Sequence, residues 1–104
     1  MSRYYSAKVD ANQADIVAEL RRLGAYVLLV HRLKNCCDCL IMYKGFCVAV
    51  EIKDGEKAPS QCELSAGERE FMEKWTSNGG KWALVESIKD AQGLIYSIDE
   101  RLKQ

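Results

Sequence analysis

The sequence has a single proline, seven glycines, one histidine and no excess of charge of either sign. So little proline and glycine excludes a collagen-like chain or a linker-rich one. No apolar run approaches the roughly 18 residues of a membrane-spanning helix. The N-terminus, Met-Ser-Arg-Tyr-Tyr, lacks the apolar stretch and cleavage pattern of a secretory leader. Fifteen basic residues balance fifteen acidic ones, so the overall charge gives no nucleic-acid footprint. The first half carries a small basic excess and the second half an equal acidic one. Binding to a polyanion would need a local site, a bound metal ion or assembly of subunits.

The chain has 104 residues with 48% hydrophobic and 29% charged, the balance of a globular protein rather than a disordered one. Its length predicts one domain, residues 1–104, with 1–8 as an N-terminal segment. Five cysteines stand at 36, 37, 39, 47 and 62. An odd number with no leader argues for reduced thiols. Together these features predict a cytoplasmic protein with no membrane partner.

Residues 11–23 read as a helix, with Ile16, Val17, Leu20 and Leu23 on one stripe. Asp10 and Gln13 fit a capping box and Gly24 a stop. Residues 25–31 are an apolar, β-rich run, expected as a strand buried on both faces. Residues 38–43 and 46–53 read as strands joined tightly through Lys44-Gly45. A polar loop, 56–64, contains Pro59. Ser65 and Glu68 form a capping box opening a helix with Phe71, Met72 and Trp75 on one side, stopped by Gly79-Gly80. Residues 82–85 form a short strand, and Ser87 caps a last helix whose inner face is Ile88, Ala91, Leu94, Ile95, Ile98 and Leu102. The order is α-β-β-β-α-β-α.

The hairpin carries the chemistry. If Tyr43 faces Phe46 across Lys44-Gly45, Asp38 lies opposite Glu51, and Lys53 falls on the same face. Opposed like charges destabilise a sheet, and a Mg²⁺ or Mn²⁺ ion held by these hard oxygens would offset that cost. The Ile52 carbonyl, between Glu51 and Lys53, is a further candidate ligand. The alternative is that these charges are simply solvated at a strand end. A three-residue turn would put the two acids on opposite faces.

An Asp, a turn and then Glu-x-Lys on the next strand, here Asp38 … Glu51-Ile52-Lys53, resembles the PD-(D/E)XK nuclease superfamily. Val9 to Val17, Leu20-Arg21 and Gly24-Ala25 look like the opening helix of small phage and prophage proteins of the VRR-NUC type. Lys53-Asp-Gly-Glu-Lys-Ala-Pro-Ser60, Leu64-Ser65, Glu68 and Trp82 to Ser87 fit the segments that follow. The resemblance spans residues 9–100. It implies a restriction-endonuclease-like mixed sheet flanked by helices. It also implies a metal-dependent endonuclease acting on DNA, branched DNA included, in a bacterial or phage-infected cell. By that analogy Asp38 and Glu51 bind the ion, the Ile52 carbonyl assists, and Lys53 handles the attacking water or the phosphate. The rival is a non-catalytic member of the same fold that binds DNA or protein.

Three positions depart from the pattern. Cys37 replaces the usual Pro before the metal-binding Asp, which bears on strand entry more than on chemistry. Gln13 stands where many relatives carry a Glu, so it would bind metal weakly as a neutral donor; its capping role competes. Glu68 stands where a Gln is common, with a capping role of its own. His31, Cys36, Cys37 and Cys39 would suit Zn²⁺ by ligand type, but they lack the usual knuckle spacing, and buried or incidental cysteine is the better reading. Lys57, in the loop after Lys53, is the leading DNA-contact residue. Arg21, Arg22, Arg32 and Lys34 are weaker candidates. Tyr4 and Tyr5 would stack on bases or pack on the body, and Trp75 and Trp82 are expected in the core. So small a domain with no net charge predicts a homodimer or a higher symmetric assembly.

Overall fold

A computed structural model describes residues 11–61 and 63–104. The elements are α1 (Gln13–Arg22), β1 (Tyr26–Leu29), β2 (Cys39–Tyr43), β3 (Phe46–Ile52), α2 (Ala66–Ser77), β4 (Lys81–Val85) and α3 (Ile88–Leu102), with a short 3-10 turn at Pro59–Gln61. The sheet order is β1-β2-β3-β4. Its first two pairings are antiparallel and the β3–β4 pairing is parallel. This is the mixed sheet flanked by helices that the sequence predicts, in the predicted order. Among the described residues no helix is long and apolar enough to cross a membrane.

The turn fixes the register. Lys44 and Gly45 both have positive φ, 47° and 88°, as a two-residue turn matched to strand twist requires. Pairing then runs from Tyr43↔Phe46 to Cys39↔Val50. The Lys44 ammonium reaches Asp99 of α3 at 2.9 Å, and the Tyr43 hydroxyl donates to the same carboxylate at 2.9 Å. The hairpin tip is thus tied to α3. A Cβ on Gly45 would touch nothing, so Gly45→Ala has only the left-handed backbone to oppose it. We expect a loss of about 1–2 kcal/mol in urea unfolding, with no change of register.

Period two sorts the strands into two faces. Val27, Cys39, Ile41, Tyr43, Val48, Val50, Ile52 and Val85 face Ile16, Val17 and Leu20 of α1 and Ala91, Ile95 and Ile98 of α3 in one core. Ile16, Leu20, Ile41 and Ile52 are essentially inaccessible, each stabilising the fold by roughly 1.5–3 kcal/mol. That core offsets the burial of a charged residue elsewhere.

Several expectations are corrected. β1 is shorter than 25–31 and is buried only at Val27. Among the described residues it is an edge strand with only β2 beside it, and Tyr26, Leu28 and Leu29 are exposed. Helix α1 begins at Gln13 rather than at 11, and its N-cap Asn12 makes no side-chain capping bond. Gln13 is therefore the first helical residue, buried, and not the third helical residue a capping box needs; Asp10, Tyr4, Tyr5 and Cys62 lie outside the described residues. Trp75 and Trp82 are half-buried and not core, because α2 packs against β4 without entering the main core and buries no residue fully. Ile88 and Leu102 are exposed at the two ends of α3, beyond its contact with the sheet. The Gly24 stop (φ 106°) and the caps at Ser65 and Ser87 are as expected.

Candidate active site

The regular ladder of β2 and β3 ends at Cys39↔Val50. One step beyond, the Asp38 N–H donates to the Val50 carbonyl at 3.1 Å, and the Ile52 N–H donates to Asp38 Oδ2 at 2.6 Å. The Asp38 carboxylate thus takes the place of a main-chain acceptor and is pinned between the two strands. The Asp38 carbonyl accepts from the Val30 N–H, which ties in the loop from β1. Cys37 is buried and donates its thiol to the Cys39 carbonyl at 3.3 Å.

Glu51 lies on the face away from α1 and α3, since its neighbours Val50 and Ile52 belong to the core. It is 2% exposed. Its carboxyl lies within hydrogen-bonding reach of those of Asp38 and Glu68. The expected pairing of Asp38 with Glu51 is therefore present, though through side chains rather than as a ladder pair. Burial first, then the charge of Asp38 and the contact with Glu68, push the Glu51 carboxyl up to about 10. Burial also raises Asp38, against the Ile52 N–H that stabilises its charge. Glu51 Oε2 is buried with no hydrogen-bond partner among the described residues. A buried acid held in this way is held neutral by its neighbours.

Lys53 follows β3, and its N–H donates to the Val85 carbonyl at 3.1 Å. Its ammonium meets both oxygens of Glu68, at 3.0 and 3.2 Å. Glu68 is held from behind by the capping box: it accepts from the Ser65 N–H at 2.8 Å while its own N–H donates to Ser65 Oγ at 3.2 Å. Burial would raise Glu68, but the Ser65 N–H, Glu51 and Lys53 outweigh it and hold the acid below its ordinary range. Glu68 is the residue that the sequence reading undervalued. Its capping signal was visible; that the first turn of α2 would arrive over Glu51 was not.

Gln13 is buried, with Nε2 3.4 Å from His31 Nδ1, and its Oε1 has no partner among the described residues. Next to it, Asn12 donates to the Lys53 and Glu86 carbonyls at 3.2 and 3.1 Å, so the start of α1 sits at this end of the sheet. Among the described residues no three His, Cys, Asp or Glu side chains form a ready metal cage. His31 instead faces Gln13, and Cys37 and Cys39 are buried thiols, Cys39 pushed up to about 12 by burial. Arg21 donates to the Val27 carbonyl at 3.2 Å and Arg22 pairs with Glu19 at 2.7 Å, both at the far end of α1 from the carboxyls. Arg32 and Lys34 are exposed in the loop leading to Asp38, and Lys57 is exposed in the loop after Lys53.

A solved structure of a VRR_NUC domain is similar to this chain, with a TM-score of 0.60 and 23% identity, covering 81% of this chain and 89% of that one. No family model matches the sequence, and no curated protein matches it. The structural likeness establishes the fold, which is like that of the VRR_NUC domain.

Proposed function

We propose that the chain is a divalent-cation-dependent nuclease that hydrolyses phosphodiester bonds in DNA. Asp38 and Glu51 would bind the cation and the Ile52 carbonyl would assist. Gln13 Oε1 would serve as a neutral donor to the ion or its water. The observation that carries the reading is Glu51: a buried carboxyl against Asp38, with one oxygen unpartnered. A buried acceptor without a partner costs about 1–3 kcal/mol, and a cation would relieve it.

The donor set fits Mg²⁺ or Mn²⁺. Such ions take hard oxygen ligands and keep several waters, so one or two carboxylates suffice without a closed cage. Charge fits too. With Asp38, Glu51 and Glu68 ionised and Lys53 protonated, a doubly charged cation makes the cluster neutral. When bound, the ion supplies a Lewis acid and a water of lowered pKa. Asp38 and Glu51 orient the bound ion through rigid strands. Lys53, steadied by Glu68, faces the phosphate or the attacking water and stabilises developing negative charge. Lys57, Arg32 and Lys34 lie in the two loops that flank the carboxyls and would contact phosphates.

A non-catalytic DNA-binding or protein-binding role is the second reading, favoured by Gln13 standing where an acid is common. Incubation with supercoiled, forked and four-way DNA, in Mg²⁺ or Mn²⁺ and in EDTA, separates the two. The nuclease reading expects cleavage that needs the ion and is lost in Asp38→Ala. No cleavage of any substrate, or cleavage unchanged in the variant, supports the second.

A further inference from the structure

Beside the carboxyl cluster, α2 turns a different face to an open groove of about 640 Å³. Its floor is Phe71 and Trp75, stacked with ring centroids 5.5 Å apart and planes 25° from parallel. The indole is fixed: its N–H donates to the Lys81 carbonyl at 2.6 Å. Gly80 lies against the same ring, where a Cβ would collide with it. At the near end Asn35 rests on Gly67, where a Cβ would strike the Asn35 amide. Two glycines thus leave room for the indole edge and for an amide, and at the far end stands the Asn78 amide, whose N–H donates to the Lys74 carbonyl at 2.8 Å.

The groove starts one residue from Glu68, on the loop that delivers Asp38. Gly67 and Phe71 are four residues apart on one face of the helix, about 6 Å along the axis. The floor is a rigid aromatic shelf with amide donors and acceptors at its rim. These are the features that take an unstacked base: a planar face to stack on and edge groups to bond. An apolar peptide side chain would use the rings but not the amides.

We propose that this groove is a nucleobase subsite, in which an unpaired base extends the Phe71–Trp75 stack while the neighbouring phosphate lies toward Lys53. The subsite rests on the nuclease reading for its ligand class and deepens it. It makes a strand with an unpaired base beside the scissile bond the favoured substrate, rather than uninterrupted duplex.

The test uses the full chain in EDTA, so that nothing is cut. Binding of a labelled ten-thymidine strand is compared with that of an abasic sugar-phosphate chain of equal length and charge, by fluorescence anisotropy. We expect the thymidine strand to bind about 5- to 100-fold more tightly, the range for stacking of a base on an aromatic side chain. The preference should vanish in Phe71→Leu and in Trp75→Leu. Neither residue is in the main core, and a thermal melt checks that each variant is folded. Lys74 lines the groove and pairs with Glu70 at 2.9 Å; as a phosphate contact it carries no base preference, so Lys74→Gln should weaken both ligands alike. Equal affinity for the two ligands, no binding of either, or a preference that survives both leucine variants overturns the subsite. Cleavage is scored separately. A base preference without ion-dependent cleavage sinks the nuclease reading and spares the shelf, and cleavage without the preference does the reverse.

Discussion

Glu51→Gln is expected to leave the fold intact and to lower ion-dependent cleavage at least about 10²–10³-fold, the scale for removing one preorganised electrostatic partner. The two effects separate because the ion-free protein already holds Glu51 as a neutral acid, at about 10. Glutamine is its near-isostere and needs no charge buried. On the nuclease reading the same carboxyl would be ionised to hold the ion, which glutamine cannot copy. Stability carries the same signature. The folded-state value lies above the unfolded one, near 4.5. Folded protein therefore binds more protons than unfolded protein between those limits, and stability falls as pH rises through that window. Asp38, also raised, adds to the fall. Glu68, held low, acts oppositely, with stability lost as pH falls into the acid range. Urea titrations at pH 5, 7 and 9 without metal should show wild type losing stability on the alkaline side and Glu51→Gln losing less. A variant that cleaves like wild type contradicts the assignment.

Lys53→Met should also lose about 10²–10³-fold in cleavage, yet still bind Mn²⁺ with little change in calorimetric titration. The methionine keeps the apolar stem and removes the ammonium. Glu68 then loses a charged partner at 3.0 Å in a half-buried setting, a cost of about 1–3 kcal/mol in unfolding. Loss of cleavage with binding retained distinguishes a group that acts on water or phosphate from one that holds the ion. If Mn²⁺ binding disappears as well, Lys53 serves the cation site instead.

Much of this was legible in the residues because it is local or periodic. Lys44-Gly45 names its own turn, and the turn fixes which residues of β2 and β3 meet. The alternation Val48, Val50, Ile52 assigns the core face and leaves Glu51 on the other. The caps at Ser65 and Ser87 are read from four residues each. What could not be read depends on contacts between elements distant in sequence. The apolar run at 25–31 looks buried on both sides, yet among the described residues Tyr26 and Leu28 stay exposed on the outer face. Gln13 looks like a capping residue, but the helix starts at it, and its amide is buried against His31, 18 residues on. Glu68 gives no sign in sequence that it will reach Glu51 and Lys53, because that depends on how the loop between β3 and α2 returns. Trp75 looks like core because it is large and apolar; instead it forms a half-exposed shelf.

The central claim is a cation between Asp38 and Glu51, and diffraction from crystals soaked in Mn²⁺ tests it most directly. The account predicts an anomalous peak with a carboxylate oxygen from each residue about 2.1 Å away, and Glu51 turned from Glu68 toward the ion. A map with no peak there at millimolar Mn²⁺, and Glu51 still against Glu68, would contradict it.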